Sequence, residues 1–237
     1  MAGGETEAAP TVAIVDSGVH AGHPHLAGAV VTGLSVEGHA EPFAVTTEFG
    51  DRTGHGTAVA AALHRVMPSA ELIAVRVLDD ELRCTSEALG RAIVEAVDRG
   101  AQILNLSLGS GRDEARAVLA DAVGYAEERG AVCVAAAHPR GRTLYPADLP
   151  GVLSATTHRS CPLADLFVVP GPLPRFLAHG FPRPIEGRAP TDNFFGPSFA
   201  AVHLSARVAG LMRDGVRGID AIAAALRDQC AGEWPAE

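Results

Sequence analysis

The sequence has no run of lysines or arginines, and its 28 acidic residues outnumber 19 basic ones, for a net charge of −9. That balance argues against nucleic acid or an anionic membrane as a partner. No apolar stretch is long enough to cross a bilayer. The opening MAGGETEAAP lacks the basic and apolar regions of a signal peptide. Cysteine is scarce: Cys84, Cys133, Cys161 and Cys230 stand apart, with no CxxC pair. A disulfide framework is not indicated, and the expectation is a cytoplasmic protein with free thiols. Cys133 lies in an apolar run and is expected to be a buried thiol.

What is present is a large apolar fraction, 47% of 237 residues. That suits one α/β domain. Strand and helix patterns alternate along the chain. TVAIVDS (11–17), AELIAVRVL (70–78), AQILNLSLG (101–109), AVCVAAA (131–137) and GVLSATT (151–157) read as strands. HGTAVAAALHRVM (55–67), TSEALGRAIVEAVDRG (85–100) and RDEARAVLADAVGYAEERG (112–130) read as helices. Thr85 or Ser86 is placed to cap the second of these, and Gly100 to stop it. Residues 159–197, rich in Pro, Gly and Phe, read as a long loop region with one strand, LFVV (166–169). SFAAVHLSARVAGLM (198–212) and 218–227 read as closing helices.

This order predicts a doubly wound, mostly parallel sheet with helices on both faces. The expected division is a short extension at 1–10, a single catalytic domain at 11–230 and a tail at 231–237. Sites in such sheets lie beyond the carboxyl ends of the strands. That rule alone gathers Asp16, 105–109 and His138 near one edge.

Taken singly, the polar residues there are ordinary. Asp16 suits a turn, His55 a helix start, and Ser198 a cap. Together they offer an Asp, a His and a Ser, each at a strand end or helix start. A nucleophilic serine needs a base within hydrogen-bond reach, and the base needs a carboxylate to set its tautomer. A helix N-terminus at Ser198 adds N–H groups for a developing oxyanion.

VAIVDSGVHAGHPHL (12–26), GHGTAVAAAL (54–63) and GPSFAAVHLSARVAGL (196–211) resemble the three signature blocks of the subtilisin-like serine proteases. ILNLSLGS (103–110) and VCVAAAHPRG (132–141) resemble two further segments of that family, in the same order. The resemblance implies a triad in which Asp16 orients, His55 acts as general base and then acid, and Ser198 is the nucleophile. It also implies that Ser107, Leu108 and Gly109 form an edge for an extended substrate backbone. Ala135, Ala136 and Ala137 would wall the pocket for the residue before the scissile bond.

The sequence departs from the family pattern in several places. Where the family carries an oxyanion-binding asparagine this chain reads His-Pro, and Pro139 has no donor. Either His138 substitutes as the donor, or the site runs without a side-chain donor, or it is inactive. Pro197 replaces a threonine before Ser198. Leu144 stands where glycine is frequent at the base of the specificity pocket, which would favour a small residue on the acyl side. Its other reading is core packing. The loop that wraps calcium in the family is replaced by HRVMP (64–68), and His25 stands in place of a carboxylate. His20, His23 and His25 raise zinc as a reading, but no fourth ligand is placed, and no metal or cofactor is expected. No prodomain is expected ahead of Thr11, and the resemblance then implies folding alone, removal, or supply in trans.

The expectation is a compact, cytoplasmic, calcium-independent serine endopeptidase acting on a peptide or protein. Its trimmed loops suggest one dedicated substrate, as in the maturation of a small peptide or peptide natural product. Transfer of the acyl group to an amine is a close variant. The alternative is a pseudoprotease that binds an extended peptide along Ser107–Gly109 without cleaving it.

Overall fold

The computed structural model describes residues 10–234. Its strands are β1 (Val12–Asp16), β2 (Val31–Glu37), β3 (Ala44–Thr46), β4 (Leu72–Arg76), β5 (Ile103–Leu106), β6 (Val132–Ala136), β7 (Val152–Thr157), β8 (Phe167–Val169) and β9 (Arg175–Ala178). Its α-helices are α1 (His55–Val66), α2 (Ser86–Asp98), α3 (Ala115–Glu128), α4 (Pro197–Arg213) and α5 (Ile219–Asp228). The strands make one sheet in the order β3-β2-β4-β1-β5-β6-β7-β9-β8. Every pairing is parallel except β2 with β3 and β8 with β9 at the two edges.

The apolar runs form strands because both faces of the sheet are covered. In β1, Val12 and Ile14 face a layer containing Leu63, Phe199, Val208 and Leu226 of α1, α4 and α5. Ala13 and Val15 face the opposite layer, with Leu89, Ile93 and Leu119 of α2 and α3. A strand buried on both sides has no polar face, so it reads as a continuous apolar run. Helix α2 begins where the Thr85 hydroxyl accepts from the Ala88 N–H at 3.1 Å. It ends before Gly100, whose φ of +88° suits a residue without Cβ. Cys133 is buried in the second layer.

Two segments differ from the sequence reading. The region read as loop at 159–197 contains β9 as well as β8, and β9 pairs with β7 inside the sheet. PRFLA offers too short an alternation between Pro, Gly and Arg to signal a strand by itself. Patterning marked nothing between residues 18 and 54, where β2, buried only over Leu34–Val36, pairs with the short, largely exposed edge strand β3. The stretch read as a tail begins by running along β8. The Val168 N–H donates to the Gly232 carbonyl at 2.9 Å, and the Trp234 N–H to the Val168 carbonyl at 2.8 Å. Of the expected extension, only Pro10 is among the described residues. Among those residues no helix is long and apolar enough to cross a membrane.

The fold sets up the site through strand order. β1 has β4 on one side and β5 on the other. The chain winds outward from β1 to β2, returns to β4, then crosses to β5. A crevice opens at such a switch point, beyond the carboxyl ends of the strands. Asp16 ends β1 there, and Ser107 follows the end of β5.

Candidate active site

Asp16 is fully buried at the end of β1. A buried carboxylate needs hydrogen-bond donors. Oδ1 accepts from the Ser17 N–H at 2.7 Å. His55 Nδ1 lies 2.8 Å from Oδ1 and 3.0 Å from Oδ2. An ionised carboxylate only accepts, so Nδ1 carries the proton and Nε2 keeps its lone pair.

His55 reaches Asp16 because α1 starts almost against β1. A Cβ built on Gly56 would lie 2.1 Å from the Gly18 carbonyl oxygen and 3.1 Å from Asp16 Cβ. Only glycine permits that approach. The helix start is held by Asp51, which the sequence reading passed over. Its Oδ2 accepts from the Thr57 N–H at 2.8 Å and from the Thr57 hydroxyl. Its Oδ1 accepts from the N–H groups of Thr53 and Gly54 and from the Ser17 hydroxyl. The signal was present in the sequence, as an Asp just ahead of a helix N-terminus.

Burial alone would make His55 a weaker base. The hydrogen bond and charge of Asp16, with the charge of Asp51, outweigh it and hold the imidazole above the ordinary histidine value. Burial also works against Asp51, but its hydrogen bonds from Thr57, Thr53 and Gly54 prevail and its carboxyl lies below the usual range.

Ser198 occupies the first turn of α4, directly after Pro197 at the helix start. Pro197 fits there because the first turn has no intrahelical acceptor for its missing N–H. The Ser198 hydroxyl donates to the Ser107 carbonyl at 3.1 Å, so in this structure it is turned toward β5 and not toward His55. The rings of Phe199 and Phe194 lie 5.6 and 5.8 Å from the His55 ring, which brings the start of α4 and the imidazole into one neighbourhood. A buried polar chain ties α4 to β5. Ser205 donates to Asn105 Oδ1 at 3.1 Å, and Asn105 Nδ2 to the Ser107 hydroxyl at 2.9 Å. Neither Asn105 nor Ser205 has a sequence signature apart from being polar in an apolar run.

Ser107 and Leu108 are half-buried and Gly109 is exposed, so this edge is open to solvent. A Cβ on Gly109 would meet the Tyr145 carbonyl at 2.5 Å and Leu144 Cγ at 3.0 Å. Leu144 therefore packs beside that edge. Its N–H donates to Asp148, which also pairs with Arg175. Ala135, Ala136 and Ala137 are buried.

His138 is half-buried and serves its own loop. Nδ1 faces the Arg140 N–H at 3.1 Å, and Nε2 faces the Arg142 guanidinium at 2.7 and 3.1 Å. A ring nitrogen that faces a guanidinium is an acceptor. The Arg140 N–H likewise points at Nδ1, so both ring nitrogens are engaged by donors of their own loop. Neither nitrogen has the free N–H that donation to an oxyanion requires.

The three clustered histidines do not converge on a point. His20 and His23 have ring centroids 6.4 Å apart, and His23 and His25 4.9 Å, in both cases edge to face. His23 Nδ1 accepts from the His25 N–H at 3.2 Å, so it caps the local turn. The calcium of the resemblance does not fit these residues either. The turn between α1 and β4 buries Met67 and Ala70, and the Ala70 N–H donates to the Met67 carbonyl. No carboxylate cage is built there.

A cavity of about 640 Å³ opens beside His55, with Phe194 and Gly54 in its wall.

Residues 7–161 match the family model described as the subtilase family. That match stops short of Ser198. Over 233 residues the chain is 34% identical to thermitase from Thermoactinomyces vulgaris, covering 92% of this chain and 79% of thermitase. Sphericase shares the fold with a TM-score of 0.72 at 21% identity, over 94% of this chain and 83% of its own. The prenylagaramide maturation protease PagA does so at 0.62 and 24% identity, over 84% and 73%.

Proposed function

Because this chain belongs to the subtilase family of serine proteases, we propose that Asp16, His55 and Ser198 form its triad and hydrolyse a peptide bond through an acyl-enzyme. The observation that carries this reading is the buried Asp16–His55 pair at the switch point, with the start of α4 packed on the imidazole. Rotation of the Ser198 hydroxyl away from Ser107 directs it to His55 Nε2. Such contacts tighten when substrate binds. His55 takes the proton as Ser198 attacks, and Asp16 stabilises the imidazolium. His55 then gives the proton to the leaving amine. Water repeats the cycle on the acyl-enzyme.

The oxyanion is received by the main-chain N–H of Ser198. It lies in the first turn of α4, where N–H groups precede the first intrahelical bond and the helix dipole is positive. No side-chain donor from His138 takes part. Main-chain donors and substrate binding alone still support substantial catalysis. The acyl part of the substrate lies along Ser107–Gly109, and Leu144 limits the adjoining residue to a small side chain. The substrate is one dedicated peptide. The likeness of fold to a maturation protease supports that niche.

A second reading is a peptide-binding protein that does not cleave. Pro139, Pro197 and the occupied ring of His138 favour it. A fluorophosphonate probe separates the two. Proteolytic function predicts an adduct on Ser198 that is lost in Ser198→Ala and His55→Ala. The absence of any adduct on wild-type protein would leave the binding reading.

A further inference from the structure

The cavity beside His55 shares no residue with Ser107–Gly109 or Ala135–Ala137. It borders His55 through Phe194, whose ring lies 5.8 Å from the imidazole. For a substrate whose acyl part follows Ser107–Gly109 and whose scissile bond reaches Ser198, this cavity is the concave surface next to His55 that the acyl part leaves open to the leaving segment.

The lining has a definite charge. Asp51 is the one acid in it, and its oxygens are occupied by five donors at the start of α1. Arg52 is matched by Glu37 and Asp80 on the outer rim. Arg183 is different: among the described residues its guanidinium makes no ion pair, and it stands close enough to His25 to act on its charge. Burial first, then Arg183 and His23, hold His25 below the ordinary histidine value. Arg183 is thus the guanidinium of the lining that has no carboxylate partner among the described residues. That is notable in a chain of net charge −9. Beside it, Ile185 and Phe194 are 39% and 47% exposed, and both line the same cavity.

A half-buried, unpaired guanidinium in a concave wall calls for a carboxylate. The exposed apolar pair calls for an aliphatic or aromatic neighbour. We propose that this cavity holds the segment on the amine side of the scissile bond and selects there for an acidic residue, bound by Arg183. The proposal rests on the protease reading above.

The test uses fluorogenic octapeptides with alanine throughout the acyl half, and Glu, Gln or Lys at each of the first three positions beyond the cut. The cleavage site is read by mass spectrometry. At one of these positions Glu should exceed Gln by about fivefold in kcat/KM, in line with one partly exposed ion pair. Arg183→Gln should abolish that ratio and Arg183→Glu should reverse it in favour of Lys, with circular dichroism checking that both variants fold. Cleavage of all peptides at equal rates, or a Glu preference that survives Arg183→Glu, overturns the proposal and leaves the protease intact. If no peptide is cut while Ser198 still takes the fluorophosphonate, the same peptides are titrated onto Ser198→Ala. Equal affinities there overturn the proposal, and an Arg183-dependent Glu preference sustains it. No cleavage and no adduct on Ser198 removes the protease reading and this proposal with it.

Discussion

His55 Nδ1 sits between the two carboxylate oxygens of Asp16, at 2.8 and 3.0 Å, and Asp16 has no exposed surface. The pair fixes which nitrogen of the imidazole is free. Asp16→Asn keeps the shape but can present an N–H to Nδ1. That stabilises the other tautomer and puts a proton where the base is needed. The expected loss in kcat is about 10⁴-fold, with peptide affinity nearly unchanged. Steady-state kinetics on any cleaved peptide measure it. A loss below tenfold would show that Asp16 does not orient the base.

Gly56 sets the distance between α1 and β1. Alanine there drives its methyl group to within 2.1 Å of the Gly18 carbonyl. That oxygen belongs to the backbone, so the helix start has to move. Gly56→Ala is expected to cost about 1–3 kcal/mol by overpacking. It should also lower the rate of fluorophosphonate labelling, because His55 is the preceding residue. Urea unfolding gives the first quantity and labelling kinetics the second. Wild-type values for both would mean that the contact relaxes elsewhere.

Asp51 raises the basicity of His55 by its charge. Asp51→Asn removes that charge, so the His55 pKa falls. A general base works when neutral, and a lower pKa extends the neutral form to lower pH. The acid limb of the kcat/KM profile should therefore move toward lower pH in the variant. The variant should also lose about 1 kcal/mol, from a weaker interaction with the α1 N-terminus. An acid limb that stays in place, or moves up, contradicts the assignment of His55 as the base.

The parallel centre of the sheet was legible because its strands are buried on both faces and cannot carry polar residues. The helices were legible from caps and stops such as Thr85 and Gly100. β9 was not, since four residues between Pro174 and His179 offer no period to read. Asp16, His55 and Ser198 stood out because each ends a strand or starts a helix, and the resemblance to the family is what grouped them as a triad. Asp51 was passed over although an acid just ahead of a helix N-terminus is a legible signal, because most of its partners are backbone N–H groups that the sequence does not single out. The surroundings of His138, which the sequence offered as one of three readings of the oxyanion site, were not legible for a related reason. What engages it is Arg142, four residues on in an irregular loop, and no periodicity predicts that contact.

The engaged ring of His138 leads to a direct comparison. His138→Ala frees Arg142 but removes no donor from the oxyanion. Acylation by a fluorophosphonate should then stay within about twofold of wild type. Loss of a true oxyanion donor would slow it by about 10²–10³. The two expectations are far enough apart for one labelling time course to decide between them.

His203 gives the fold a pH dependence separate from the chemistry. It is buried in α4, and its Nε2–H donates to the Phe181 carbonyl at 2.9 Å. Burial pushes its pKa down to about 4; His179, Arg65 and Arg207 add to the effect, and the Phe181 hydrogen bond opposes it. The unfolded chain binds this proton near the ordinary value of 6.5, whereas the folded chain resists it until about 4. Stability is thus at its full value above about pH 6.5 and falls as pH drops through that interval, by on the order of 3 kcal/mol. His203→Gln keeps an N–H donor and does not titrate. Urea unfolding between pH 7 and pH 4 should show a smaller loss in this variant than in wild type. Asp51 acts in a lower window, since its carboxyl lies below its ordinary 3.8 and its contribution is lost only as pH falls through that depressed value. Equal losses for wild type and His203→Gln between pH 6.5 and 4 would remove His203 as the source of the effect.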